Sequence, residues 1–117
     1  MVAVSQALFL SCVSFLFVHE LDAVRQREWR FFFAPVAVSD ELAYRRFTAL
    51  HVPLVVVVLW FAGSRVFQLG VDSFAVVHAI LHVGLRNHPL LEFDDWFSGL
   101  WILGAALLGL VHLALVV

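Results

Sequence analysis

WFSGLWILGAALLGLVHLALVV, residues 96–117, runs for 22 residues without one charged side chain. At about 1.5 Å of rise per residue, such a helix crosses a hydrocarbon core of about 30 Å. The rest of the chain agrees with that reading. Of 117 residues, 63% are hydrophobic and 14% charged, with a mean hydropathy of +0.99, which does not fit a water-soluble globular domain. The length allows one domain, and the apolar content excludes disorder. A net charge of −2 gives no reason to expect nucleic-acid binding. Cys12 stands alone in an apolar run, cannot form an internal disulfide, and reads as a small packing residue.

Three more apolar stretches precede the opening one, separated by charge. The first span covers about residues 2–22. Its start has no basic region and no small-residue cleavage site, so it is expected to be retained rather than removed as a signal. About residues 23–34 follow, where Arg25, Arg27, Glu28 and Arg30 alternate with Trp29 and three phenylalanines, a composition suited to a helix in the headgroup layer. Pro35 ends it. Ser39, with Asp40 and Glu41 behind it, reads as the N-cap of a second span over about residues 40–63, with Pro53 inside it. The third span, about residues 72–86, is short; Asp72 reads as its cap, and Asn87-His88-Pro89 stops it. Glu92, Asp94 and Asp95 read as capping acids for the fourth span, about residues 96–117, where Ala105-x-x-x-Gly109 offers a small-residue face for helix packing. The expected architecture is all-α: a polytopic membrane protein, a four-transmembrane-helix bundle with an interfacial helical extension after its first helix.

Arginine orients it. Six of the seven basic residues, Arg25, Arg27, Arg30, Arg45, Arg46 and Arg86, fall in the first and third connections, leaving Arg65 on the other side. The positive-inside rule puts those connections in the cytoplasm of a cell-membrane protein with both termini outside. Trp29 and Trp96 are then expected at the inner interface and Trp60 near the outer one.

Six histidines in so apolar a chain are the main functional signal, because an ionisable group in lipid costs about 2.5 kcal/mol or more unless paired, ligated or hydrated. Counting from the flanking arginines puts His51 about 7 Å, His82 about 6 Å and His78 about 12 Å below the inner boundary. His19 closes the uncharged part of the first span at the same end, and His88 lies in the inner loop. His112 falls about 24 Å across, near the outer face, and reads as an interfacial or partner-contact residue. His78 and His82, at i and i+4, share a face and can share one metal ion, with His51 as a third nitrogen. His19 and Asp22, at i and i+3, also share a face. Three imidazoles would leave a position for water, which Asp22 or Glu20 could orient or deprotonate. Zinc is the first expectation for the ion, with iron or manganese compatible with the same donors. Glu28 reads as solvated by headgroups or as a carboxylate folded back over the site. Asp95 reads as a cap, with the metal layer its minority assignment, and Arg25, Arg45 and Arg46 as binders of anionic headgroups.

At His19-Glu20-Leu21-Asp22-Ala23, Glu28-Trp29, His51-Val52-Pro53 and His78-x-x-x-His82, the chain resembles an uncharacterised family of small four-helix membrane proteins with a HELDA and EW signature. It is similar in plan to the HXXEE membrane domain. That resemblance covers most of the chain and implies no assigned activity. The site is similar to the three-histidine zinc centre of seven-helix membrane hydrolases such as the alkaline ceramidases and adiponectin-receptor-like proteins. It implies His51, His78 and His82 as ligands and Asp22 as their polar partner. The leading expectation is therefore a zinc-dependent hydrolase of a lipid-like amide or ester at the cytoplasmic leaflet, in contact with membrane lipids and open to homo-oligomerisation through its fourth helix. Two other classes compete: a haem-binding electron carrier, in which histidines of facing helices would hold the haem, and a non-enzymatic proton or ion pathway or structural subunit.

Overall fold

Helix starts are set by side-chain caps. Ser39 Oγ accepts the Leu42 N–H at 3.2 Å, Ser64 Oγ accepts the Phe67 N–H at 3.4 Å, and Asp95 Oδ1 accepts the Ser98 N–H at 2.8 Å, each satisfying a backbone donor that the first helical turn leaves free. The computed structural model describes residues 2–93 and 95–117. Among them the order is α1 (Val2–Arg25), α2 (Trp29–Phe33), α3 (Asp40–Phe61), α4 (Arg65–Gly84) and α5 (Trp96–Val116). All except α2 are long and apolar enough to span a membrane, and they form an elongated four-helix bundle of 48 × 28 × 20 Å. The chain is a multi-pass membrane protein. Of the acids expected to cap α5, Asp95 does so. Glu92 instead pairs with Arg30 at 2.6 Å, and Asp94 lies outside the described residues.

The structure corrects several expectations about element boundaries. The third span starts not at Asp72 but two turns earlier at Arg65, capped by Ser64. The polar residues of that added stretch have partners: Arg65 donates to the Val116 carbonyl at the end of α5, and Gln68 donates to the Ala62 carbonyl at 2.8 Å. Asp72 is therefore no cap; it is fully buried inside α4. Its partner is His112, also fully buried, with Nδ1 at 2.5 Å from Asp72 Oδ2. This corrects the reading of His112 as an interfacial or partner-contact residue. The first span runs on to Arg25 before a turn, so only residues Trp29–Phe33 form a separate helix. Trp29 is buried beside Ala23, Ala43 and Phe47, whereas Trp60 and Trp96 are exposed.

Helix α5 is the centre of the bundle, packed against both α1 and α4. Small residues allow this close approach, as expected where dispersion rather than water expulsion drives helix association. A Cβ added at Gly109 would lie 3.1 Å from the Asp72 carbonyl oxygen, and one at Gly104 would lie 2.6 Å from the Phe15 ring. Cys12 donates to the Ala105 carbonyl at 3.4 Å and is fully buried. The Ala105–Gly109 stripe is thus occupied within the chain. Helix α3, continuous through Pro53, has α2 as its main packing partner. Between α3 and the α1/α4 pair lie two cavities, of about 510 Å³ and about 450 Å³.

Candidate metal centre

The end of α1 is shaped by a turn that the sequence does not advertise. The Glu28 N–H donates to the Ala23 carbonyl at 3.0 Å and the Arg27 N–H to the Val24 carbonyl at 3.3 Å, the paired bonds of a Schellman motif. Arg27 takes the left-handed conformation at its centre, with φ of 57°. The chain reverses there, and Glu28 is turned back over the end of α1, where it is buried at 5% exposure.

Under that carboxylate lie three imidazoles. His19 comes from α1 and is fully buried; His78 and His82 come from one face of α4. Ligand atoms of His19, Glu28, His78 and His82 all fall within 4.8 Å of one another. The nearest separations are 3.1 Å from His78 Nε2 to His82 Nε2, 3.3 Å from His82 Nε2 to Glu28 Oε1 and 3.7 Å from His19 Nε2 to Glu28 Oε2. A tetrahedral zinc ion with bonds of about 2.0–2.1 Å needs neighbouring donors about 3.4 Å apart. These three separations lie near that spacing, and the whole group falls within 4.8 Å.

Hydrogen bonding is incomplete here in a way that matters. Both ring nitrogens of His19 and Nδ1 of His78 are buried with no hydrogen-bond partner among the described residues. A buried polar atom left unpaired costs roughly 1–3 kcal/mol. The nearest carboxylate oxygens to His19 Nε2, at 3.7 Å on Glu28 and 3.9 Å on Glu20, are too far to satisfy it. A cation held by Nε2 would.

His51 sits elsewhere. Its Nε2 meets Glu20 Oε2 at 2.6 Å, and its Nδ1 meets the Phe47 carbonyl at 2.8 Å. Both ring nitrogens thus face acceptors, so His51 and Glu20 share a proton across α1 and α3. The other carboxylate oxygen, Glu20 Oε1, is the one that faces His19. Glu20 therefore links this pair to the three-imidazole group.

The remaining candidates take separate places. Asp22 Oδ2 accepts the Ser98 hydroxyl at 2.6 Å, tying α1 to α5 rather than joining the histidines. Asp95 stays at the helix cap, its carboxyl held below the usual carboxylate range by the Ser98 N–H it accepts. His88 Nδ1 accepts the Leu90 N–H at 3.1 Å in the α4–α5 connection, and its ring stands edge-on to Phe31. Arg25, Arg45 and Arg46 are exposed at the same end of the bundle, Arg45 paired with Glu41 at 2.7 Å. The metal-layer residues singled out from sequence thus divide: His19, His78 and His82 come together with Glu28, while His51 pairs with Glu20.

The cavity of about 450 Å³ is lined by Glu20, Glu28, His51 and His78 on its polar side and by side chains such as Phe47 and Phe74 elsewhere. The larger one shares Glu20, Leu54 and Phe74 with it and is otherwise apolar. An aliphatic chain lying along both would bring a polar group at its end beside Glu20 and His78.

The chain belongs to a family of unknown function (DUF6713), whose match covers residues 5–117. Comparison with curated proteins and with solved structures gives no match.

Proposed function

We propose, for this member of a family with no assigned activity, that His19, His78, His82 and Glu28 hold a zinc ion and that the protein hydrolyses an amide or ester of a lipid-like substrate. The observation that carries the reading is His19, a fully buried imidazole with two unpartnered nitrogens, placed at ligand spacing from a carboxylate and beside two further imidazoles. Three imidazoles and one carboxylate also suit iron or manganese. A divalent ion held by His19, His78, His82 and Glu28 would polarise the substrate carbonyl and acidify the attacking water.

The protein's own groups would do the proton work. Water oxygen bonds to the carbonyl carbon, and the proton it loses passes to Glu20, which already shares one with His51. The carbon–nitrogen or carbon–oxygen bond then breaks, and the departing amine or alcohol takes that proton. The adjoining apolar cavities would hold the aliphatic part. By the positive-inside rule the arginine-rich end carrying this centre faces the cytoplasmic leaflet, with both termini outside.

A haem between these histidines is disfavoured by their geometry. Axial imidazoles approach a porphyrin from opposite faces, whereas His78 and His82 lie on one helix with ring centroids 4.5 Å apart, and His19 is packed against both.

The deciding measurement is metal content per chain, by elemental mass spectrometry on protein purified in mild detergent without chelator or histidine tag. About one equivalent of zinc, iron or manganese, lost in His19→Ala and His78→Ala, supports the centre. Metal-free protein from metal-replete expression overturns it and favours a proton relay through Glu20 and His51.

A further inference from the structure

At the opposite end of the bundle a second polar group is buried, sharing no residue with the metal centre. Asp72 Oδ2 lies 2.5 Å from His112 Nδ1, and His112 Nε2 lies 3.0 Å from the hydroxyl of Ser5. The three come from α4, α5 and α1. Asp72 and His112 are fully buried, and Ser5 is half-buried. The carboxylate accepts a hydrogen bond from the Nδ1–H and so fixes the tautomer in which Nε2 is the acceptor, facing a hydroxyl. This is the arrangement that activates a serine.

The backbone prepares it. Gly109, one turn before His112, lets α5 approach the Asp72 backbone so closely that a Cβ would meet the Asp72 Cα at 3.3 Å. The far ring nitrogen of His112 continues to Ser5, which lines a cavity of about 320 Å³ together with Gln6, Gln68 and Gly63. The cavity thus combines a hydroxyl backed by a buried imidazole with side-chain amides that can donate to a carbonyl oxygen.

We propose that Ser5, His112 and Asp72 form a second reactive site, a serine nucleophile for acyl esters of lipids in the leaflet opposite the metal centre. Ser5 Oγ bonds to the ester carbonyl carbon while its proton passes to His112 Nε2. The carbon–oxygen bond to the alcohol breaks, and the alcohol leaves with that proton. Water then attacks the acylated serine, giving its proton to His112, which returns one to Ser5 Oγ as the fatty acid departs. Asp72 does not exchange protons; it orients the imidazole and stabilises its charged form. No metal enters these steps.

The test is covalent labelling of the full-length chain in detergent by a long-chain fluorophosphonate, with the modified residue identified by peptide mass spectrometry. Wild type should be labelled at Ser5, equally with and without a metal chelator. Labelling should be lost in Ser5→Ala and reduced by more than about tenfold in the near-isosteric Asp72→Asn. His112→Gln, compared at equal elution volume and thermal midpoint, provides a second reduction. Wild-type Ser5 that stays unmodified while an added serine hydrolase is labelled overturns the proposal without reliance on any variant. Undiminished labelling in folded Asp72→Asn and His112→Gln overturns it too.

Discussion

Glu28 Oε2 lies 3.7 Å from His19 Nε2 because the chain reverses between them, with Arg27 held at a φ of 57°. An L-residue with a Cβ pays roughly 1–2 kcal/mol in that region, and glycine is exempt. Arg27→Gly is therefore expected to hold or raise the thermal midpoint in detergent and to retain metal. Arg27→Val, whose branched Cβ fits that region worse than arginine's, should lower the thermal midpoint below wild type and reduce metal content as Glu28 swings away. Equal stability and metal content in the two variants would detach the turn from the centre.

The two imidazole groupings separate by mutation. His78→Ala removes a donor 3.1 Å from its neighbour and is expected to empty the centre. His51→Ala removes only the partner of Glu20 and should leave metal content within error of wild type while abolishing any hydrolysis that depends on the shared proton. Elemental analysis of the two variants side by side checks this, and loss of metal from His51→Ala would return His51 to the ligand set.

The spans were legible because charge-free runs long enough to cross a bilayer have few alternatives, and Ser39 and Asp95 marked two helix starts by local chemistry. Arg65, Gln68 and Gly70 made the start of α4 look like a connection, since nothing local shows that Arg65 reaches Val116 or that Asp72 is matched by His112. Depth counting gathered His19, His51, His78 and His82 into one layer but could not separate them. Which ones meet depends on lateral packing, and α3, which carries His51, packs mainly on α2. Glu28 was ambiguous for a different reason: its position follows from a left-handed turn at an arginine, where sequence patterns look for glycine.

Asp22 and Ser98 form a cross-helix bond, at 2.6 Å, between α1 and α5. Such bonds in membrane bundles contribute about 0.6 kcal/mol on average, up to about 1.7. Ser98→Ala should lower stability by about that amount and leave metal content unchanged, the same result being expected for Asp22→Asn. Metal loss in Asp22→Asn, with stability intact, would give Asp22 the role beside the metal that the sequence suggested.

Two glycines on α5 test what holds the opposite end together. Nothing lies within 4 Å of a Cβ built at Gly99 among the described residues, whereas at Gly109 it would press on the carbonyl oxygen and Cα of Asp72 at 3.1 and 3.3 Å. Those are backbone atoms of a packed helix and cannot turn aside as a side-chain tip would. Gly99→Ala is expected to be neutral or to stabilise by up to about 1 kcal/mol through helix propensity. Gly109→Ala should cost roughly 1–3 kcal/mol by overpacking, and the shift of α5 it forces should lengthen the bond from Asp72 to His112. Thermal unfolding in one detergent compares the pair. Fluorophosphonate labelling of Ser5 should fall in Gly109→Ala and persist in Gly99→Ala, and the reverse order would separate the close approach of α4 and α5 from the alignment of His112.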